Sequence, residues 1–321
     1  MGVKNPYRGP LSSALSQDTY LVREFEKTRY QREDYYSAIN IEPISISQIP
    51  RAMSRMGWKK SAALMKRWLE TPAWKCPESW KDGMELPEGL YIPDEHCDDQ
   101  TITMSWLMNY PSAAEAVNKL LNERALSPAG LGVTTKRLER LGWDGKGTYT
   151  FGRKNILGRP SMSARELEQK YQNNFLAVGD NFALHVVVDT LDDVYGSLGT
   201  YNLKVAVIGT ASRGIDNKVY FEPSYAGVYV KDFYDFNNDG AWDQPLGLWT
   251  EDGILTRGQS VRSVLNRDTV RLGKKTMKVS KVFNSDFLNY RKETGKGGDF
   301  IVFSDVLWVK MNGVYELPWG V

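Results

Sequence analysis

Histidine and cysteine are scarce, with two of each among 321 residues. Cys76 and Cys97 are too few for a disulfide framework; they could pair, and two unpaired thiols of a reducing compartment is the simpler reading. His96 lies in a polar loop beside Cys97 without metal-ligand spacing, which argues against zinc. His185 falls in the apolar run Phe182-Ala-Leu-His-Val-Val-Val, where a buried, hydrogen-bonded imidazole is the ordinary occupant. A Ser-His-Asp triad would need one of these two, and neither is accompanied by a Gly-x-Ser-x-Gly elbow. Excess charge is lacking too. Lys plus Arg number 41 against 39 Asp plus Glu, for a formal charge of +2, a balance that argues against bulk nucleic-acid binding. No stretch approaches the roughly 18 apolar residues of a membrane span. The start, Met-Gly-Val-Lys-Asn-Pro, has no apolar segment of a secretory signal, and Pro6 breaks the myristoylation motif that Gly2 opens. The expectation is a chain made in the producer's cytoplasm and exported, if at all, by separate machinery.

What remains supports a sizeable core, for the chain is 41% hydrophobic and 12% aromatic. Residues 1–42 are polar, charged and rich in tyrosine without periodicity, and read as an arm or tail. Helical signals fill 43–178. Ser47 can cap a short helix with Pro50 in its first turn. Lys59–Glu70 carries Ala62, Met65, Trp68 and Leu69 at helical spacing and stops before Pro72. A Pro/Gly-rich connector, Pro77 to Pro93, follows. Ser112-Ala-Ala-Glu115 and Ser163-Ala-Arg-Glu166 both fit capping boxes, and Thr134–Leu141 is a short basic helix. From 179 to 321 the period changes to two. Phe182–Asp189, Tyr201–Gly209, Val219–Val230 and Phe300–Lys310 read as strands, and Met311-Asn-Gly-Val314 reads as a hairpin turn joining the last two. The fold class is α+β: a helical N-terminal part, then a C-terminal antiparallel, curved β-sheet or half-barrel.

The densest run of functional groups follows the third of these strands. Between Lys231 and Asp243 lie Asp232, Tyr234, Asp235, Asn237, Asn238, Asp239 and Asp243. Carboxylates repel unless a cation, donor or water separates them, so folding alone does not ask for this density. Asp235-x-Asn237-x-Asp239-Gly240-x-x-Asp243 matches the first positions of a calcium loop, yet Leu246 stands where the bidentate Glu belongs. A plain Asn/Asp/Gly turn is the competing reading. Asp232, Tyr234 and Asp235 at a strand end could instead hold Mg or another divalent ion, or supply a general base, for phosphoester hydrolysis. A solvated edge strand is the alternative. On a strand, 232 and 234 share a face and 235 takes the other unless a bulge turns it. Gly295-Lys296-Gly297-Gly298-Asp299 could cradle an anion with its backbone N–H groups, which makes Arg291 and Lys296 the candidates for phosphate. A simple turn is the alternative there too.

Five stretches carry a family resemblance: Ile49-Pro-x-Ala-Met-x-x-Met-Gly-Trp58, Thr101-x-Thr-Met-x-Trp106, Val228-Tyr-Val-Lys-Asp-Phe-Tyr-Asp-Phe236, Gln244-Pro-Leu-Gly-Leu-Trp249 and Gly295 to Asp305. Through them the chain resembles an uncharacterised Gram-negative bacterial family, carried as a domain of unknown function and often encoded beside type VI secretion spike components. The resemblance covers about residues 45–312. It implies interbacterial competition, with the β-rich part as an antibacterial effector delivered to the target-cell periplasm. The partners it implies are spike components or a chaperone, and a cognate immunity protein. Asp232-x-Tyr234-Asp235-Phe is also similar to the Asp-x-Tyr-Asp core of colicin M-like toxins, which cleave the lipid-linked peptidoglycan precursor in a magnesium-dependent way. Their His-Arg pair is replaced here by Ala241 and Trp242, so that likeness implies Arg291 or Lys296 in the arginine's role and His185 in the histidine's. A non-enzymatic adaptor, spike-associated cargo or membrane-active module is the alternative function.

Overall fold

The computed structural model describes residues 44–81, 90–179, 191–237, 243, 245–254, 269–272, 275–278 and 280–320. His185, Asp239 and the strand expected over Phe182–Asp189 lie outside the described residues.

Periodicity and proline set the helices. The Lys59–Glu70 helix falls where its spacing predicts, burying Ala62, Leu64, Met65, Trp68 and Leu69. It ends at Thr71, whose extended ψ of 139° is what a residue before proline must adopt. Ahead of it, the Ile49–Arg55 helix is entered through a 3₁₀ turn. The cap is Ser45 rather than Ser47: the Ser45 N–H donates to Gln48 Oε1 at 2.8 Å. Ser163 caps the Ala164–Lys170 helix as expected, accepting from the Glu166 N–H at 3.2 Å. Ser112 does not cap, because Pro111 itself opens the Pro111–Lys119 helix and Tyr110 precedes it. The basic segment near Thr134 is the second half of a longer helix, Pro128–Arg140, capped by Ser127.

The described strands are β1 (Cys97–Asp98), β2 (Thr148–Phe151), β3 (Gln172–Val178), β4 (Tyr201–Arg213), β5 (Val219–Tyr234), β6 (Pro245–Thr250), β7 (Gly253–Ile254), β8 (Thr269–Leu272), β9 (Lys275–Lys278), β10 (Ser280–Phe283), β11 (Phe300–Phe303), β12 (Leu307–Lys310) and β13 (Tyr315–Glu316). The large sheet runs β1-β11-β5-β4-β2, with β3 also on β4 and β12 and β13 also on β5. All its pairings are antiparallel except β1 with β11. Helices and this curved sheet together form an α+β half-barrel. Strands β1, β2 and β3 come from the stretch read as helical. They were hidden because β1 is two residues long, β2 only four, and β3 opens on the polar run Gln172-Asn-Asn174.

β12 and β13 do not form the expected hairpin. Gly313 has φ of +108° but Asn312 is not left-handed, and a type I′ turn needs both. The two strands instead lie one after the other along β5, at Tyr225–Val228 and Tyr220–Phe221. Between them sits Pro223, whose missing N–H falls where no ladder partner is required. Opposite Pro223 the β4 register shifts at Gly209, where a Cβ would lie 2.1 Å from Glu222 O.

β5 alternates between two cores. Val228, Val230 and Tyr234 face the Ile49–Arg55 and Lys59–Glu70 helices, while Tyr229 and Phe233 face the Ala164–Lys170 helix. On that second side Lys231 Nζ lies 2.9 Å from Glu168 Oε1, and Tyr229 OH donates to Glu168 Oε2 at 2.8 Å. These buried charges are paired, as burial demands.

The loop before β11 locks the Lys59–Glu70 helix to the sheet. Gly297 has φ of +95°, and a Cβ there would lie 2.6 Å from the Trp68 ring. Gly297→Ala is therefore expected to lower stability by about 1–3 kcal/mol, from left-handed strain plus the displaced ring. Urea unfolding checks this, and an unchanged midpoint would remove the constraint.

Candidate functional site

β5 ends in Asp232-Phe-Tyr234, and the chain leaves the sheet at Asp235. Because Asp232 and Tyr234 alternate onto the helix-covered face, both open on one cavity of about 590 Å³. Asp235 and Asn237 line the same cavity. The strand period had assigned Asp235 to the opposite face; leaving the sheet at Tyr234 frees it to turn back. The opposite wall is apolar and includes Met53, Trp58, Met65, Trp249 and Phe287. Trp58 and Trp249 meet edge to face at 6.4 Å. Tyr234 is itself nearly buried and stacks on Phe300 at 5.2 Å.

Lys81, absent from the sequence-based site, is the cation that faces this cavity among the described residues. It closes the short Glu78–Lys81 helix inside the segment read as a connector. Its ammonium pairs with Asp235 and lies 3.5 Å from Glu78 Oε1. Burial opposes the charge on Lys81, but the hydrogen bond and charge of Asp235 outweigh it, so its pKa rises above 10.5. Asn237 Nδ2 donates to the same Asp235 oxygen at 2.5 Å. No residue motif marks Lys81; only its place beside β5 in space does.

Arg291 and Lys296 are not brought to the cavity. Arg291 Nε donates to Gly297 O at 2.6 Å, its Nη2 pairs with the buried Asp299, and its guanidinium lies over the Trp68 ring. Asp299 also accepts from Trp68 Nε1 at 3.1 Å and from the Cys76 N–H at 3.0 Å. This is an anchor for the fold rather than a phosphate site. Lys296 is exposed. The expected anion cradle is not formed either: the N–H groups of Gly295, Lys296, Gly297, Gly298 and Asp299 all donate to protein oxygens, those of Arg291, Thr294, Thr71, Trp68 and Trp74.

The calcium and magnesium expectations meet the same test. Asp243 accepts from the Ser285 N–H at 3.0 Å and from its Oγ at 2.5 Å, so it caps the Asn284–Thr294 helix instead of turning toward Asp235. Asp235 is engaged by Lys81 and Asn237. Among the described residues, no group of three or more His, Cys, Asp or Glu is placed to hold a metal ion. Asp239, the remaining carboxylate of the expected set, lies outside the described residues.

Electrostatics single out Asp232. It is half-buried and lines the cavity, and desolvation, with Asp235 adding repulsion, lifts its pKa well above 3.8 against an opposing backbone hydrogen bond. Desolvation and Asp232 likewise push the Tyr234 phenol upward. Cys76 and Cys97 are unpaired and buried. Burial raises their thiols to about 12 and about 11, the first against Lys81 and the second against Arg165. Both are inert near neutral pH. His96 stacks on Trp74 at 3.7 Å and does not line the cavity.

A family model, that of a family of unknown function (DUF6402), matches residues 44–319, and the chain belongs to this family. Neither a curated protein nor a solved structure matches the chain. No helix among the described residues is long and apolar enough to cross a membrane.

The raised pKa of Asp232 has a definite sign in stability. The folded chain holds a proton that the unfolded chain releases, so the wild type loses stability as pH rises from near 3.8 through the raised value. Asp232→Asn mimics the protonated form. It is expected to melt higher than wild type at neutral pH and alike near pH 3. Thermal scans at the two pH values check this, and an equal difference at both would refute it.

Proposed function

We propose that this member of the DUF6402 family is an antibacterial effector associated with type VI secretion, and that its β5 cavity acts on a lipid-linked, phosphate-containing cell-envelope precursor. The observation that carries the reading is the cavity itself. Asp232, Tyr234, Asp235 and Lys81 stand opposite a wall of tryptophan, methionine and phenylalanine within about 590 Å³. That pairing suits an amphiphile, whose apolar part rests on the wall while its polar head meets the charged end. Asp232 has the chemistry of a general base: a carboxyl lifted toward working pH can take a proton from an attacking water. Lys81 is the group that would meet the developing phosphate charge, exchanging its bond to Asp235 for one to substrate. Tyr234 fixes the substrate's position. Spike components or a chaperone would carry the chain out, and an immunity protein would guard the producer.

One observation favours a second reading. Lys81 and Asn237 already satisfy Asp235, as they would in a non-enzymatic cargo or adaptor module whose charged pocket only holds a ligand.

Targeted expression in the periplasm of a susceptible bacterium separates the two. Wild type is expected to lower viable counts, and Asp232→Asn, Asp232→Ala, Asp235→Ala and Lys81→Ala to restore them about a hundredfold or more. Equal killing by wild type and Asp232→Asn, or no killing by any, would overturn the hydrolytic reading.

A further inference from the structure

The turn at residues 153–160 lies outside the β5 cavity, and its sidechains have a layered arrangement. Ile156 is 102% exposed and Leu157 73% exposed, side by side at its apex. Isolated apolar residues on a surface are ordinary; two adjacent ones held out by a built turn are not. Asn155 builds it. Its Oδ1 accepts from the Leu157 N–H at 2.9 Å and the Arg159 N–H at 3.1 Å, and its own N–H donates to Arg159 O at 2.8 Å. Gly158 supplies the left-handed step, with φ of +71°. Lys154 and Pro160 bridge at the base. Nothing in this network uses the two aliphatic side chains.

Residues 145–165 contain Lys146, Arg153, Lys154, Arg159 and Arg165 and no Asp or Glu, though Lys146 pairs with Asp144 at 3.2 Å and Arg165 with Asp94 at 2.7 Å. Lys154 and Arg159 form no ion pair with a described acid, and Lys154 rests over the Tyr225 ring at 5.6 Å. Arg153 pairs with Glu166 at 2.7 Å and so belongs partly to the scaffold.

We propose that this turn is a contact point for an anionic lipid surface. Aliphatic groups at the tip and cations at the base match the order of a membrane interface, in which acyl chains lie beneath negatively charged head groups. Nucleic acid fits less well, since single strands are gripped by aromatic stacking and the apex offers none. A protein partner would need roughly 800 Å² on each side, far more than two side chains supply. Contact through one turn is weak and reversible, because even a single acyl chain gives only marginal membrane binding. The inference stands apart from the hydrolytic reading of the β5 cavity and can fail without it.

Co-sedimentation of the full chain with vesicles tests it, comparing phosphatidylglycerol/phosphatidylcholine mixtures with phosphatidylcholine alone at low and high salt. Wild type is expected to partition onto the anionic vesicles, and less so at high salt. The double variant Ile156→Ser/Leu157→Ser should lose about tenfold or more of that partitioning with an unchanged melting temperature, and Lys154→Glu/Arg159→Glu should lose a similar share. No sedimentation of wild type with anionic vesicles, or equal sedimentation of the Ile156/Leu157 variant, would overturn the proposal and leave the apex to a protein partner.

Discussion

Everything near the site depends on the pairing of β4 with β5. From Asn202 to Arg213 the two strands run antiparallel, and this long ladder fixes which face each β5 side chain takes. Because the side-chain period is two, a slip of one residue would exchange the faces. Val230 and Tyr234 would then meet Glu168, and Lys231 would enter the apolar helix interface. The Lys231–Glu168 pair guards against that slip. A slip would part this lysine from a fully buried carboxylate 2.9 Å away, and breaking a buried ion pair is strongly destabilising. The same register that seats Lys231 delivers Asp232 and Tyr234 to the cavity.

A second constraint sets the depth of the cavity. Asp299 gathers Trp68, Arg291 and the Cys76 backbone around one buried carboxylate. Trp68 then meets Phe236 at 4.8 Å and Phe287 at 5.5 Å, both edge to face. This aromatic group lies directly behind Tyr234, which meets Phe236 at 5.7 Å. Burial is the largest cause of the upward shift at Asp232, which lines the cavity beside this group.

Local signals were legible and distant ones were not. The Lys59–Glu70 helix, the Ser163 cap and the shared face of Asp232 and Tyr234 follow from periods and capping chemistry confined to a few residues. Strands β1 and β2 are short and β3 opens on polar residues, so their pairing with β11 and β4 supplies what their own sequences lack. Arg291 and Lys296 looked like anion binders because a glycine-rich loop resembles a cradle in one dimension. Which N–H groups such a loop has free depends on what packs against it, here Thr71, Trp68 and Trp74. Lys81 was missed for the converse reason, since a lone lysine in a connector gains meaning only from what lies across from it.

The three separate partners along one edge of β5 bear on how the chain assembles. β4 and β5 are joined by a tight turn and can zip together as soon as both exist. β11, β12 and β13 come far downstream, so during synthesis that edge of β5 stays open while the intervening chain is made. An unpaired strand edge invites pairing with other chains. Pro223 interrupts this edge between the stretches taken by β13 and β12, and a residue without an N–H cannot template a continuous intruding strand. The same residue that divides β12 from β13 in the finished sheet thus shields the nascent one from its neighbours.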